Sequence, residues 1–371
     1  MPVVRNGRYR AGSIPVIDIS WRSRDMLKEI IVKACEECGF FKVINHGIPD
    51  DVVAKMEAVG LGFFSLPVAE KQQAGPANPL GYGSKTIGPN GDTGEVEYLL
   101  LHANPSSVSL RAKSICKEDN IEFSCVVNEY VESVKELACE ILELLASGLG
   151  LEDTGAFSRL IRDKESDSLL RLNHYPSFPS YCNNNKLEEN KVGRVGFGEH
   201  TDPQILTLLR SNGVAGLQIL SPSTDAGAWV PVPPDPAAFF VNVGDALQAM
   251  TNGRLVSVRH RAMANSYNTR LSTVFFGAPP LHAWISPIPE MVTTLRPRRY
   301  RAFTWSEFKK MIALLVKTED CLEVPQRLEI EDQCVALRLN HRTESTGSEK
   351  FETASICAED KEAWKISQYL T

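Results

Sequence analysis

Two histidines and an aspartate carry the strongest chemical signal in this chain. His200 and Asp202 stand two residues apart in GFGEHTDPQ (196–204), a stretch whose texture is otherwise that of a β-strand. Side chains two apart on a strand leave from the same face, so an imidazole and a carboxylate are aimed together. One further ligand completes a facial metal site. His260 supplies it from the alternating run VSVRHRAMANS (256–266), where the flanking arginines face the other way. Two histidines and one carboxylate on one side of a metal leave the opposite side open, the arrangement of non-haem iron(II) oxygenases. Hydrolytic zinc uses the same trio with water in the fourth place, so the ligands alone do not choose between the metals.

Arg270 makes that choice. It lies ten residues past His260, with Ser272 two further on in RLSTVFFGAPP (270–280), and on a strand the pair shares a face. A guanidinium grips a carboxylate through two parallel charge-assisted bonds, and a hydroxyl beside it adds a third. A hydrolase has little use for such a fork next to its metal. An oxygenase needs one to anchor the distal carboxylate of a 2-oxo acid whose other end chelates iron. The implied co-substrate is 2-oxoglutarate, filling two open positions on Fe(II) and leaving one for O2. It departs as succinate and carbon dioxide while a C–H bond of a second substrate is hydroxylated, and the protein's part is to orient the reactants and keep water away.

These residues need a scaffold of short strands. From residue 168 onward SLLRLNHYP, RVGFGEHTD, ILTLLRS, GLQIL, AWVPVP, AFFVNVG, LVSVRHRAMAN, RLSTVFFGA and HAWISPI are broken by Gly, Pro and Asn at the spacing of an antiparallel sandwich or jelly roll. CNNNKLEENKVG (182–193) reads as a polar surface loop. Ahead of them, IPVIDIS (14–20) is an expected first strand, 25–38 and 51–66 are expected helices, and 122–149 is a long amphipathic helix that should pack outside the sheet. The Gly/Pro-rich segment 75–101 looks like a hairpin or flap in which Gly81-Tyr82-Gly83 forms a tight turn. His46, at a turn, reads as a structural histidine. The expected organisation is a mixed α/β region at 1–118, a bridging helix at 119–165, a catalytic core at 166–290, a closing helix at 291–317 and a polar tail at 318–371.

Composition fits an enzyme of this kind. The chain has 371 residues, 43% hydrophobic and 23% charged, enough for a large core. A net charge of −6 without a basic stripe argues against nucleic acid, and no apolar run reaches the roughly 18 residues of a membrane helix. Nine scattered cysteines, with Cys35 and Cys38 on one helix, read as reduced thiols and place the protein in the cytosol or nucleus. Oligomeric state is left open.

Several stretches resemble the plant 2-oxoglutarate- and Fe(II)-dependent dioxygenases, and the gibberellin 2-oxidases most of all. They are GFFKVINHGIP, GYGSKTIGPNGDTGEVEYLLL, LRLNHYP, GFGEHTDPQILTLLRSNGVAGLQI, FFVNVGDALQAMTNGRLVSVRHRAMANS, RLSTVFFGAPPL and FTWSEFKK, spanning about 14–310. The resemblance implies a mainly β fold with flanking helices, built on a double-stranded β-helix core of the isopenicillin N synthase kind. It implies iron ligands at His200, Asp202 and His260, and 2-oxoglutarate held by Arg270, Ser272 and Tyr175 of the Asn173-x-Tyr175 motif, with ascorbate in support. It implies 2β-hydroxylation of gibberellins, which ends their hormone activity, and 98–118 looks more like members acting on nineteen-carbon substrates. That substrate is a rigid terpenoid acid and needs an apolar pocket with a cation, for which Tyr98 and Lys309 are the candidates. A flavonoid or another hormone is the alternative substrate, and a non-catalytic gibberellin-binding relative the alternative class. The chain departs from the family after FTWSEFKK, where MIALLVKTEDCLEVPQ and a long polar stretch follow.

Overall fold

The computed structural model describes residues 13–76, 80–86, 95–115, 120–177, 195–221, 227–265 and 267–319. The polar loop 182–193, the tip of the 75–101 hairpin and the tail from 320 lie outside them. The first half runs β1 (Val16–Asp18), α1 (Arg24–Glu37), β2 (Phe40–Ile44), α2 (Asp50–Ser65), α3 (Val68–Lys71), β3 (Gly81–Thr86), β4 (Glu95–His102), α4 (Pro105–Ile115), α5 (Asn120–Gly148) and α6 (Ser158–Arg162). The second half runs β5 (Leu169–Tyr175), β6 (Val195–His200), β7 (Leu206–Ser211), β8 (Leu217–Leu220), β9 (Trp229–Pro231), β10 (Phe239–Val243), α7 (Asp245–Met250), β11 (His260–Met263), β12 (Arg270–Gly277), β13 (Trp284–Ile285), β14 (Phe303–Thr304) and α8 (Trp305–Glu319).

Local rules account for the helices. Ser23 caps α1 by accepting from the Met26 amide, Asp25 sits in its first turn, and Leu27, Ile31, Ala34 and Cys35 form its buried stripe. In α5 the residues Phe123, Val127, Tyr130, Val134, Leu137, Ile141 and Leu145 are buried at three- and four-residue intervals. That face lies against α1, α2 and α4 and against β7 and β12, as the amphipathic pattern predicts. Cys35 is buried, and burial pushes the Cys38 thiol up to about 11, so neither is an activated nucleophile. His46 accepts from the Ile48 amide at 3.1 Å and meets Phe239 edge-on, a structural role.

Two sheets enclose the site. The larger has eight strands in the order β1-β2-β10-β7-β12-β5-β4-β3, and the smaller has four in the order β6-β11-β8-β9. Every pairing in them is antiparallel except β1 with β2. Strands from the first hundred residues therefore extend the same sheet that carries the later core. The helices cover one face of the large sheet with the main apolar core, while smaller clusters around Phe240, Val274 and Tyr175 lie on other faces.

One local expectation is corrected. Gly81-Tyr82-Gly83 is strand β3 rather than a tight turn, paired with β4 so that Gly83 faces Tyr98. A Cβ at residue 83 would lie 2.4 Å from the Tyr98 ring, so this glycine lets the aromatic lie flat across its neighbour. Glycine content signalled a turn, but the close approach of a ring was the actual demand. Among the described residues no single helix is long and apolar enough to cross a membrane.

Candidate active site

Strand pairing assembles the metal ligands. His260 at the start of β11 is the cross-strand partner of His200 at the end of β6, and their ring centroids lie 4.2 Å apart. The His200 Nε2 stands 3.7 Å from Asp202 Oδ1, the His260 Nε2 stands 3.6 Å from it, and all ligand atoms fall within 4.8 Å of one another. Asp202 was expected on the strand with His200. It lies instead two residues past the end of β6, immediately before Pro203, whose missing N–H cannot continue the ladder. The carboxylate is aimed by other means. The Asn242 side-chain amide donates to Asp202 Oδ2 at 2.6 Å, and the Asp202 carbonyl accepts from the Asp245 amide at 2.8 Å.

The donor set suits a metal. Each histidine directs its Nδ1 at a backbone carbonyl, His200 at Gly198 (2.8 Å) and His260 at Val258 (3.2 Å). A carbonyl only accepts, so Nδ1 carries the proton and Nε2 presents its lone pair to the shared centre. Burial, and next His260 beside it, hold the His200 imidazole neutral, pushing its pKa down to about 3, with Asp202 acting the other way. Neutral imidazoles and a carboxylate are what Fe(II) takes up. Iron(II) bound here would supply, with 2-oxoglutarate and dioxygen, the oxidising power to hydroxylate an aliphatic carbon.

A cavity of about 600 Å³, open to solvent, connects these ligands to β12. Arg270, 2% exposed, pairs across the ladder with Tyr175, and Ser272 pairs with Asn173. The Arg270 guanidinium lies 5.2 Å from the Tyr175 ring centre, and the Asn173 amide donates to Ser272 Oγ at 3.4 Å. Burial lowers the Arg270 pKa while Tyr175 partly offsets that. The Arg270 Nε is buried without a hydrogen-bond partner among the described residues. A buried charged donor left open in a cavity is a receptor for an anion. Gly216 makes room for it, since a Cβ there would stand 3.1 Å from the Arg270 side chain and 2.6 Å from the Met263 carbonyl.

The structure thus brings together His200, Asp202, His260, Arg270, Ser272 and Tyr175 around one cavity. It does not bring Lys309 there. Lys309 donates to Asp167 Oδ2 at 2.6 Å beside the Trp305 indole, tying α8 to the body of the protein. Tyr98 is 3% exposed and stands one layer back, its ring beneath the Arg171 guanidinium at 4.4 Å. Sequence reasoning named Asn173 only as part of a motif and passed over Asn242 and Arg171. The signal was present, because Arg171, Asn173 and Tyr175 alternate along β5, and Asn242 interrupts an apolar strand, FFVNV. Polar side chains on strands buried on both faces need a purpose.

Two family models match the chain: the 2OG-Fe(II) oxygenase superfamily over residues 166–279, and the non-haem dioxygenase in morphine synthesis N-terminal region over 14–113. A rice protein, gibberellin 2-beta-dioxygenase 2, is 51% identical over 324 residues, 85% of this chain and 88% of its own length. Gibberellin 2-beta-dioxygenase 4 of Arabidopsis thaliana is 50% identical over 311 residues, 83% of this chain and 92% of its own. Among solved structures, the dioxygenase for auxin oxidation 1 from Arabidopsis thaliana, in its binary complex with 2-oxoglutarate, superimposes with a TM-score of 0.65 at 29% identity, covering 77% of this chain and all of that one.

Proposed function

The chain belongs to the 2OG-Fe(II) oxygenase superfamily, among the gibberellin 2-beta-dioxygenases, and from that premise we propose that it hydroxylates bioactive nineteen-carbon gibberellins at the 2β position. It is an iron(II)- and 2-oxoglutarate-dependent dioxygenase. The observation that carries the reading is the pairing, in one cavity, of the His200–Asp202–His260 cluster with the buried Arg270 and its open Nε. The three ligands would hold the iron that activates dioxygen. Arg270 and Ser272 fix the distal carboxylate of 2-oxoglutarate, with Tyr175 steadying the guanidinium from behind.

Apolar side chains, among them Phe197, Leu209, Leu217, Val274 and Phe276, line the rest of the cavity and suit a rigid hydrocarbon skeleton while excluding water. The product would be an inactivated hormone, made in the cytosol, with ascorbate keeping the iron ferrous. Purified protein incubated in air with Fe(II), ascorbate, 2-oxoglutarate and a bioactive gibberellin should release succinate and a 2β-hydroxylated gibberellin identified by mass spectrometry. Turnover of a flavanone in place of any gibberellin would reassign the substrate, and gibberellin binding without succinate release would make the protein a non-catalytic binder.

A further inference from the structure

We infer that Gln204 and Thr207 form a hydrogen-bonding subsite that reads a hydroxyl group on the second substrate, close to the carbon that is oxidised. The inference rests on the gibberellin reading only for the identity of that alcohol. Both side chains line the cavity, and each residue is 1% exposed. Gln204 Oε1 and Thr207 Oγ1 are buried without a hydrogen-bond partner among the described residues. Burial costs a polar atom its hydrogen bonds to water, so two such atoms on one cavity wall mark where a ligand supplies the missing bonds.

Register sets this subsite apart from the one for 2-oxoglutarate. Along β7, Leu206 and Leu208 belong to the main core, whereas Thr207 and Leu209 line the cavity. Thr207 pairs with Asn242 on one side and with Phe276 on the other, and Leu209 pairs with Val274. Ser272, at the 2-oxoglutarate end, lies four positions from Phe276 on β12, about 13 Å at a strand's rise. Across β10, β7 and β12 the wall is therefore polar at each end, Ser272 at one and Asn242 with Thr207 at the other, with Leu209 and Val274 between. The keto acid takes the first end, and the second is left for the other substrate.

The subsite is next to the chemistry. Gln204 follows the ligand Asp202 by two residues, and its backbone is held still: its carbonyl accepts from the Ala246 amide at 3.3 Å and lies where a Cβ on Gly244 would stand 1.9 Å away. Thr207 is the ladder neighbour of Asn242, whose amide donates to the Asp202 carboxylate at 2.6 Å, and side chains so paired have Cβ atoms about 4.5–5.5 Å apart. A hydroxyl held here sits on a carbon near the one that the substrate presents for oxidation. It is also the group that answers both unpartnered atoms. Gln204 Oε1 only accepts, whereas the Thr207 hydroxyl donates as well as accepts. A substrate O–H donates to the first and accepts from the second. A carbonyl or carboxylate oxygen leaves Gln204 Oε1 unsatisfied.

The test compares two gibberellins, one with a hydroxyl on the carbon next to position 2 and one lacking only that hydroxyl. The full chain, loaded anaerobically with Fe(II) and 2-oxoglutarate, is titrated calorimetrically with each. Wild type should bind the hydroxylated compound about 10²-fold more tightly, roughly tenfold for each atom it satisfies. Thr207→Val keeps the shape and drops the hydroxyl. It should remove roughly tenfold of that preference while leaving the deoxy compound and 2-oxoglutarate within about threefold of wild type. Gln204→Met should do the same, and Thr207→Ser should keep the preference. A second readout separates recognition from packing. Thr207→Val deletes a buried hydroxyl that has no partner, so the substrate-free protein should melt no lower than wild type. Equal weakening of both gibberellins, or a lower melting temperature with the preference intact, would reduce Thr207 to a structural role such as holding an ordered water. Should Thr207→Val fail to fold, Gln204→Met decides by the same comparison. If wild type binds both gibberellins alike, the subsite is refuted and the hormone reading stands. If it binds neither, the hormone reading is lost, and other apolar alcohols and their deoxy analogues then decide by the 2-oxoglutarate turnover they stimulate. A preference for alcohols that vanishes when Thr207→Val and Gln204→Met are combined upholds the assignment, and no preference refutes it.

Discussion

Replacing Arg270 by Ala should cost the protein its hold on 2-oxoglutarate while leaving its iron in place. Arg270 is 2% exposed, so neither water nor salt screens what it binds. Each hydrogen bond from a buried guanidinium to a carboxylate has a net worth of about 1.5–3 kcal/mol. The truncated site still offers Ser272, itself accepting from Asn173, and water can enter the vacated space. A net loss of about 2–3 kcal/mol therefore remains, roughly 10²-fold in affinity. The assay is an anaerobic titration of the Fe(II)-loaded protein with 2-oxoglutarate, followed by the charge-transfer absorption that chelation of iron by the keto acid produces. The midpoint should move up by roughly 10² and the plateau should survive, because the three metal ligands are untouched. Ser272→Ala should move it by less than about tenfold. An unmoved midpoint in Arg270→Ala would mean that the guanidinium does not hold the co-substrate, and the oxygenase chemistry assigned to this cavity would lose its anchor.

Four further outcomes follow from contacts outside that fork. Asn242→Ala removes the amide that aims Asp202 and should weaken iron binding about 10–100-fold in a chelator competition while the circular dichroism spectrum stays unchanged. Burial alone would raise the Glu97 pKa, but the Lys71 ammonium hydrogen-bonded to it at 2.7 Å and the His174 ring 3.7 Å away outweigh that and lower it from 4.5. Its contribution is thus present above the unfolded value and lost as the pH falls through the folded one. Glu97→Gln should cost about 3 kcal/mol in urea unfolding at pH 7, the scale of a broken buried pair, with the deficit against wild type shrinking below about pH 4.5. A deficit independent of pH would rule out an ionic role. Asp167 accepts from both Lys309 Nζ and Trp305 Nε1, so Asp167→Ala should loosen α8, lowering the melting temperature and exposing the helix to trypsin. Lys309→Met should likewise lower stability but leave the KM for substrate alone, and a raised KM would return Lys309 to the pocket.

Much of the site was legible because it is written in local spacing. His200 with Asp202, His260 flanked by arginines and Arg270 two before Ser272 each disclose a chemical role through residue type and period, whatever the rest of the chain does. The long stripe of α5 was legible for the same reason. Yet the argument from a shared strand face was right about His200 and Asp202 for the wrong reason. The strand stops at His200, and Asp202 reaches the centre because Asn242, forty residues away, pulls on its carboxylate.

The sequence by itself determined which side chains could bind iron and a dicarboxylate, since those powers belong to imidazole, carboxylate and guanidinium wherever they stand. Only the tertiary structure decided which of those side chains meet. The ladder between β5 and β12 set Arg270 beside Tyr175 at the cavity, and the docking of α8 spent Lys309 on Asp167. A charge on a linear chain has no fixed partner. Its role is settled by the neighbours that folding brings within a few ångströms, where desolvation makes the choice among them worth several kcal/mol.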